Sequence, residues 1–430
     1  MINIHWFRRD LRLDDNAALY HALKSSNPVL CLFIFDTDII TKLSNKNDAR
    51  ITFIHNQLEI LKLELEKLGS SLLIKIGKPI EVWEQLTLEY SIQQVFTNHD
   101  YEPYAIKRDN SICELLKNKS IIFKTFKDQV IFEKNEIVKD DGLPYTVFTP
   151  YSKKWKSKLN DFYLKPYSNL NYTDNYYKTK SLPQVTLVHL GFTESTIAFP
   201  DKLTSQMLIK NYEQTRDIPS VEGTSRLSLH FRFGTISVRE KAKKAFQLSE
   251  KWLNELIWRE FYMSIIYHFP HVVVSSFKPA YERIEWVNNT DNFDKWCKGI
   301  TGYPIIDAGM RQLNATGFMH NRVRMIVASF LTKHLLIDWR WGEAYFAEKL
   351  LDYELASNNG GWQWAAGCGV DAAPYFRIFN PYLQTQKFDP QHIYIKKWIP
   401  EFETSKYPKP IVNHDLARKK CLETYKLALK

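Results

Sequence analysis

The first 126 residues alternate between short runs rich in β-branched and aromatic residues and longer helical stretches. The strand-like runs cover residues 2–7, 29–35, 72–76, 95–98 and 121–126. The clearest helical stretch spans residues 48–68, where Asp48 is a suitable cap and Gly69 can end the helix. Strands that alternate with helices call for a parallel sheet with helices on both faces. The sequence therefore predicts a Rossmann-like α/β fold here, although no G-x-G-x-x-G or P-loop motif occurs.

The rest of the chain has a different character. Residues 127–200 contain several prolines and many Tyr and Lys residues, which is typical of a connecting segment on the surface. Beyond residue 200 strand patterns are absent and helix follows helix. Because 430 residues exceed the roughly 250–300 of a single core, two domains are expected. We expect an α/β domain over 1–126, a connecting segment over 127–200 and an all-helical domain over 201–430.

Charge and cysteine usage limit the class of protein. Lys and Arg number 58 against 48 Asp and Glu, and a net charge of +10 favours a polyanionic partner such as nucleic acid. The five cysteines are scattered without a C-x-x-C motif, which predicts reduced thiols and no zinc site. No apolar run approaches the roughly 20 residues of a membrane span. We expect a cytoplasmic monomer without a metal ion.

Residues 223–228, G-T-S-R-L-S, combine hydroxyl-bearing residues with one guanidinium just before a helical stretch. Free backbone N–H groups at a helix start, together with these side chains, can hold a pyrophosphate. A capped helix start uses the same residue types. The segment is therefore either a phosphate-binding turn or an ordinary helix cap.

Residues 252–262 place a carboxylate among aromatic rings. At helical spacing Trp252, Glu255 and Arg259 share one face, and Trp258 lies at its edge. A buried carboxylate is costly unless it has a partner. Glu255 is therefore either a functional group in a cavity or a surface residue paired with Arg259.

Residues 319–339 predict a largely apolar helix with a polar stripe. Asn321, Arg324 and Met325 fall on one face of this helix. An interior arginine needs an acceptor, and Asp352 or Glu354 can supply one. The pair can be purely structural or can also serve a ligand.

Tryptophan is concentrated in the second half of the chain. Eight of the twelve tryptophans lie between residues 252 and 364, and the last two flank Gln363 in N-N-G-G-W-Q-W. A helix would point Trp362 and Trp364 about 200° apart, so that one can face the interior while the other lines a cavity. The concentration indicates either an aromatic core or a protein that uses indole rings for stacking and electron transfer.

Taken in order, the motifs of this chain resemble those of the photolyase/cryptochrome flavoprotein family, and most of all the class I cyclobutane pyrimidine dimer (CPD) photolyases. The motifs are W-F-R-R-D-L-R-L-D-D-N from residue 6, N-Y-E-Q-T-R-D from 211, G-T-S-R-L-S from 223, W-L-N-E-L-I-W-R-E-F from 252, T-G-Y-P-I-I-D-A-G-M-R-Q-L from 301, G-F-M-H-N-R-V-R-M from 317 and N-N-G-G-W-Q-W-A-A from 358. The resemblance covers nearly the whole chain. It implies a deoxyribodipyrimidine photo-lyase, which uses blue light to repair dimers in damaged single- or double-stranded DNA.

The resemblance also implies one non-covalent FAD in the helical domain. Its implied binding residues are Tyr212, Thr224, Ser225, Arg226, Leu227, Ser228, Trp252, Arg259, Asn321, Arg324, Asp352, Tyr353, Glu354 and Asn358. Arg324 paired with Asp352 would flank the flavin ring, and Asn358 would face the flavin N5. Glu354 stands where many relatives have Asp.

A lesion cavity follows from the same resemblance, with the dimer flipped out of the DNA into it. Its implied residues are Glu255, Trp258, Asn321, Arg322, Met325, Trp364, Arg377 and Gln384. Two tryptophans would form apolar walls, Glu255 and Asn321 would bind the bases, Met325 would pack beneath them, and Arg322, Arg377 and Gln384 would grip the backbone. Glu255, Asn358 and Met325 are the implied catalytic residues, while the cofactor performs the chemistry.

Trp362, Trp339 and Trp286 match the family's chain of tryptophans, which carries electrons from the surface to an oxidised flavin. An antenna chromophore is also implied in the amino-terminal domain. Tyr104 and Ala105 stand where folate-binding relatives have Asn and Glu, which argues against a folate and leaves a deazaflavin, another flavin or an empty site.

Two alternatives within the family remain open. A (6-4) photoproduct photolyase is expected to carry histidines where this chain has Asn321 and Met325. A blue-light-sensing cryptochrome usually adds a tail after the helical domain. An electron-transfer flavoprotein of another kind would explain the tryptophans but not Glu255 among them, nor the basic charge.

Overall fold

The computed structural model describes all 430 residues. One parallel sheet has the strand order β3-β2-β1-β4-β5. Its strands are β1 (Ile2–Phe7), β2 (Val29–Asp36), β3 (Leu72–Gly77), β4 (Ile92–Asn98) and β5 (Ile122–Phe126). The predicted α/β fold is confirmed. Strand β4 begins at Ile92, earlier than the predicted start at residue 95, because Ile92 pairs with Ile2 of β1.

Helices make up most of the remaining structure. Between and after the strands of the sheet lie α1 (Ala17–Leu23), α2 (Thr37–Ile40), α3 (Ala49–Lys67), α4 (Pro79–Glu89) and α5 (Pro103–Asn118). Then follow α6 (Phe148–Lys158), α7 (Gln206–Lys210), α8 (Tyr212–Thr215), α9 (Ser228–Phe233), α10 (Val238–Leu248), α11 (Glu250–His268), α12 (Thr290–Lys298), α13 (Pro304–Thr316), α14 (Asn321–Ser329), α15 (Trp339–Lys349), α16 (Leu355–Ala366), α17 (Pro381–Phe388), α18 (Ile393–Trp398) and α19 (His414–Ala428). The Asp48 side chain caps α3 as predicted, by accepting a hydrogen bond from the Arg50 N–H. None of these helices combines the length and apolar character needed to cross a membrane.

The single helix predicted over residues 319–339 is wrong in its second half. Helix α14 ends at Ser329 and passes into a π-helical turn over Phe330–His334. Leu336 then has φ of 49°, a left-handed value that a right-handed helix cannot contain. Asp338 starts α15 by accepting a hydrogen bond from the Arg340 N–H. The apolar spacing carries on across this break, which explains why the pattern alone did not reveal it.

Residue contacts group the chain into two compact units. One contains residues 1–136, 156–203 and 226–247, and the other contains residues 137–155, 204–225 and 248–430. We refer to them as the sheet unit and the helical unit. They are defined by contacts alone, and the expected domain limits near residues 126 and 200 stay a prediction.

Residues 226–247 join the sheet unit through buried ion pairs. Arg239 Nε lies 2.8 Å from Asp15 Oδ1, and Arg239 Nη2 lies 2.7 Å from Asp128 Oδ1. Gly234, at φ of +63°, approaches the backbone of Arg9 so closely that any Cβ would clash with it. Charge pairing and a required glycine therefore tie this late segment to the carboxyl end of β1.

Candidate functional site

Helix α11 presents Glu255 to an ion pair that was not predicted. The Glu255 carboxylate contacts the guanidinium of Arg216, which lies 5.4 Å from the centre of the Tyr212 ring. Burial raises the pKa of Glu255 above its ordinary value, and Arg216 offsets only part of this effect. The Glu255 side chain is still 32% exposed, so it lines accessible space. The pairing of Glu255 with Arg259 does not occur.

Arg259 and Arg324 each pair with one of the two carboxylates considered for Arg324. Arg324 Nη2 lies 2.9 Å from Asp352 Oδ2, whereas Arg259 Nη2 lies 3.0 Å from Glu354 Oε1. Glu354 is buried, and the Ser357 hydroxyl also donates to it. The helical unit therefore contains two guanidinium–carboxylate pairs. Their carboxylates, Asp352 and Glu354, flank Tyr353 in the sequence, and Tyr353 packs against the main core of that unit.

Asn358 is held in place by Glu343, a residue that the sequence analysis did not single out. The Asn358 amide nitrogen donates to the Glu343 side chain at 2.8 Å and to the Glu343 carbonyl oxygen at 3.0 Å. Burial raises the pKa of Glu343, and the hydrogen bond from Asn358 lowers it in part. Because the amide nitrogen makes both bonds, the amide oxygen of Asn358 is left for another partner.

The glycine pair that follows Asn359 has unequal roles. A Cβ on Gly360 would clash with the Tyr262 ring of α11, whereas a Cβ on Gly361 would meet open space. Gly360 therefore lets α16 approach α11, the helix that carries Glu255.

A cavity of about 290 Å³ gathers five of the predicted lesion and DNA residues. Its lining consists of Asp217, Arg322, Met325, Trp364, Arg377, Phe379, Gln384, Lys387 and Phe388. Trp362, by contrast, is only 2% exposed and packs in the core. The prediction that the two tryptophans of W-Q-W face the interior and a cavity is confirmed.

Arg322 at the cavity wall already has partners. Its Nη2 lies 2.9 Å from Asp217 Oδ1, and its guanidinium carbon lies 4.4 Å from the centre of the Phe388 ring. Its Nη1 also approaches the Met325 sulfur at 3.8 Å. Asp217 and Arg216 adjoin in the N-Y-E-Q-T-R-D motif, so this motif supplies one partner for Arg322 and one for Glu255.

Three predicted lesion residues do not line this cavity. Asn321 begins α14 and is exposed, and Glu255 is engaged with Arg216. Trp258 is partly buried beneath the ring of Phe148, with ring centres 3.7 Å apart and planes 3° from parallel. Phe148 was not among the predicted residues because it lies far from Trp258 in sequence and carries no polar group.

The segment 223–228 does not form a side-chain cap. Leu227 stands at the cap position of α9, no side chain accepts a hydrogen bond there, and Arg226 has φ of 50°. Of the remaining predicted cofactor residues, Tyr212 and Trp252 are buried. Thr224 and Ser225 group with the helical unit, and Arg226, Leu227 and Ser228 with the sheet unit.

The three predicted relay tryptophans differ in burial. Trp362 and Trp339 are 2% and 1% exposed, while Trp286 is partly buried and packs edge-on against Tyr425 at 6.1 Å between ring centres. Gly342 of α15 lies against the Trp362 ring, where a Cβ would clash. Two of the three rings are therefore buried, and the third lies nearer the surface.

In the sheet unit, Tyr104 lies at the place considered for an antenna chromophore. Its hydroxyl donates to Asp36 Oδ2 at 2.6 Å, and the Arg108 guanidinium lies 5.0 Å from the centre of the Trp6 ring. The same guanidinium lies 5.9 Å from the centre of the Tyr104 ring, so these residues form one aromatic and charged cluster. The cluster does not by itself select one chromophore.

Known proteins resemble this chain along its whole length. The family model described as "DNA photolyase" matches residues 3–169, and the one described as "FAD binding domain of DNA photolyase" matches residues 252–406. A deoxyribodipyrimidine photo-lyase of Escherichia coli is 38% identical, with 99% of this chain and 98% of that protein covered.

Solved structures agree with these sequence matches. An archaeal photolyase from Sulfolobus tokodaii, described with two FAD molecules and a novel light-harvesting cofactor, has a TM-score of 0.86 and 34% identity, with 99% of this chain and 100% of that chain covered. A Synechocystis cryptochrome shares the fold at a TM-score of 0.84 and 24% identity, with 98% of this chain and 99% of that chain covered. With photo-lyases more than 30% identical over nearly their full length, this chain belongs to the DNA photolyase family and contains its FAD-binding domain.

Proposed function

We propose that this protein repairs cyclobutane pyrimidine dimers in DNA by light-driven transfer of one electron to the flipped-out lesion. The observation that carries the proposal is the cavity in which the apolar surfaces of Trp364 and Met325 meet the cations Arg322 and Arg377. A base taken out of the duplex needs flat apolar walls, while the flanking phosphates need cations. Its volume of about 290 Å³ lies near the lower end of ordinary small-molecule sites.

Arg322 is suited to binding a phosphate because its partner is replaceable. Asp217, which pairs with it, has a side chain that is 41% exposed. An exposed ion pair contributes only about 0–1 kcal/mol, so exchanging this carboxylate for a DNA phosphate costs little. The ring of Phe388 meanwhile supports the guanidinium from one side. Arg322 is thus oriented before the DNA arrives.

Glu255 is suited to donating a hydrogen bond to a lesion base. Its pKa is raised by burial, so its neutral form persists to higher pH than for an ordinary glutamate. In that neutral form the carboxyl can donate a hydrogen bond to a pyrimidine carbonyl, whereas the carboxylate paired with Arg216 can only accept one from a base N–H. Arg216 holds the other side of the group and fixes its direction. Glu255 therefore binds the base and orients it, and it is no nucleophile.

The side chains of the helical unit fit a bound FAD. The amide nitrogen of Asn358 is bonded to Glu343, so its amide oxygen can accept a hydrogen bond from the cofactor. Arg324 pairs with Asp352, and Arg259 pairs with Glu354. Such neutral pairs can contact a flavin without leaving a buried charge unpaired. The hydroxyls of Thr224 and Ser225 are not used in a helix cap and remain for phosphate oxygens. When bound, FAD supplies the chemistry: in its reduced form it lends one electron on absorbing blue light and takes it back once the ring has split.

Trp362, Trp339 and Trp286 would serve a separate task, which is to carry electrons inward to an oxidised cofactor. Burial of Trp362 and Trp339 supports this role because it excludes water from the path. Trp286, nearer the surface, would take its electron from an external reductant. Trp258 and Trp364, by contrast, would stack on the lesion.

Among the rival functions, Met325 in the cavity lining favours CPD repair over (6-4) repair, because its thioether offers packing and no proton. The cryptochrome alternative predicts that the purified protein shows no light-dependent repair. An antenna that is a deazaflavin or a second flavin would appear as an additional absorption band beside that of the FAD.

The deciding experiment incubates the chemically reduced, FAD-loaded protein with an oligonucleotide that carries one CPD under blue light, and measures the restored thymines by chromatography. Restoration in the light and none in the dark is the expected result. Trp364→Ala is the matched variant and should lose dimer binding while it keeps its FAD. Repair of a (6-4) lesion instead, or of neither lesion, would refute the proposal.

A further inference from the structure

Phe148 lies flat against Trp258 in the helical unit. Their ring centres are 3.7 Å apart and their planes are 3° from parallel. Aromatic pairs left to themselves prefer offset or edge-on arrangements to a face-to-face one. The surrounding structure therefore holds Phe148 in this position.

Several contacts anchor Phe148 and the helix that it begins. The Phe148 N–H donates to Asp371 Oδ2 at 3.3 Å, and its ring meets Phe261 edge-on at 5.9 Å. One turn later along α6, Tyr151 packs on the same Phe261 at 5.2 Å between ring centres. The start of α6 thus lies against α11, the helix that carries Trp258.

A buried hydrogen bond fixes α6 a further turn along. Trp155 Nε1 donates to Glu260 Oε2 at 2.6 Å, and the two residues are 0% and 2% exposed. Leaving the Glu260 carboxylate without this donor in the interior would be costly. Helix α6 is therefore a fixed part of the wall beside α11, and Phe148 is not a mobile plug over Trp258.

An indole ring has two faces, and Phe148 covers one face of Trp258. Trp258 is nevertheless only partly buried. Glu255 lies one turn before it on α11 and Tyr262 one turn after it, so the ring belongs to the same stretch of helix as the group that would bind the lesion. The rings of Tyr262 and Phe261 also contact Trp258, at 5.5 and 5.6 Å between ring centres, and the part of the indole that stays exposed is the part left for a ligand.

We infer that Phe148 is a positioning residue for the lesion, which backs the Trp258 ring so that a flipped pyrimidine dimer stacks on a wall whose orientation is already fixed. This inference rests on the proposed function. Phe148 itself does not touch the DNA in this arrangement. It acts by removing the rotational freedom of Trp258 before binding, which the lesion would otherwise have to restrict.

The test measures the affinity of the FAD-loaded protein, in the dark, for a single-stranded oligonucleotide with one CPD and for the same strand without damage. Phe148→Ala should bind the damaged strand roughly two- to twelve-fold more weakly, the range expected for one side chain left to be immobilised on binding. Its affinity for the undamaged strand should not change. Phe148→Tyr keeps the ring and should bind the damaged strand like the unmodified protein.

A double-variant cycle identifies the route of the effect. If Phe148 acts through Trp258, then Phe148→Ala combined with Trp258→Ala should bind the damaged strand no more weakly than Trp258→Ala alone. Full additivity of the two losses would overturn the inference, as would an equal loss for the undamaged strand. Tighter binding by Phe148→Ala would also overturn it, because the ring would then compete with the base.

Controls separate this inference from the proposed function. Phe162→Ala removes a phenylalanine that is 79% exposed in the sheet unit and should change neither affinity. If Phe148→Ala does not fold, Phe148→Leu removes the aromatic ring and keeps most of the apolar volume, and the same outcomes apply to it. An unmodified protein with no preference for the damaged strand refutes the proposed function. A preference that survives unchanged in the Phe148 variants refutes only the positioning role.

Discussion

Arg377→Gln should make the affinity for DNA less dependent on salt, by the amount that one phosphate contact contributes to the slope. Three cationic side chains line the cavity, namely Arg322, Arg377 and Lys387. For duplex DNA, each neutralised phosphate contributes about −0.9 to the slope of log affinity against log salt. Three contacts give a slope of about −2.7, so that affinity falls about 40-fold between roughly 50 and 200 mM salt.

The variant retains two contacts, and its affinity should fall only about 12-fold over the same range. If Asp217 keeps Arg322 neutralised in the complex, both slopes become shallower but their difference of about 0.9 remains. The assay is a fluorescence-anisotropy titration of a labelled duplex with one CPD, carried out in the dark at several salt concentrations.

Lys298→Gln is the matched control, since it removes an exposed cation that is paired with Asp294 on α12. Its slope should equal that of the unmodified protein. An unchanged slope for Arg377→Gln would mean that Arg377 contacts no phosphate. A slope near zero for the unmodified protein would refute the reasoning from charge altogether.

Three further predictions follow from residues of the helical unit. Glu255→Gln should keep most of the affinity for the dimer and remove the pH dependence of that affinity. The unmodified protein should bind more weakly as pH rises through the raised pKa of Glu255, because the neutral form of Glu255 is lost. Dimer binding measured across the pH range in which the protein stays folded checks this. Trp339→Phe should block photoreduction of oxidised FAD by an external thiol, while the chemically reduced variant repairs dimers almost normally; normal photoreduction would exclude Trp339 from the relay. Gly360→Ala should lower stability by about 1–3 kcal/mol in denaturant unfolding, because its Cβ would clash with Tyr262. Gly361→Ala meets open space, so an equal loss there would contradict this packing argument.

The pattern of apolar residues predicted the sheet and much of the helical unit, because strands and helices have different side-chain periods. The same reasoning predicted that one of Trp362 and Trp364 faces the interior and the other a cavity, since their separation on a helix is a local property. It also offered Asp352 as the partner of Arg324. The break after Ser329 escaped because the apolar spacing continues through the π-helical turn.

Partners that come from distant parts of the chain could not be read from the pattern. Arg216, Glu343 and Phe148 reach their partners only after the helices have packed. Arg216 belongs to the N-Y-E-Q-T-R-D motif, and as a cation it is suited to balance Glu255, which is a signal that the sequence does carry. Phe148 carries no such signal, because a partly buried phenylalanine is ordinary in any sequence.

The participation of residues 226–247 in the sheet unit has a consequence for how the protein is made. Asp15 takes its guanidinium partner from Arg239, which is synthesised long after the last strand ends at Phe126, whereas Asp128 also pairs with Arg12. At roughly 5–20 residues per second, a ribosome needs about 6–24 seconds to extend the chain from residue 126 to residue 247. During that interval the Asp15 carboxylate has no Arg239 to pair with, so the sheet unit cannot complete its charge pairing until residues 226–247 have been translated. A ribosome that stalls before residue 239 leaves behind a sheet unit in which the Asp15 carboxylate lacks this partner.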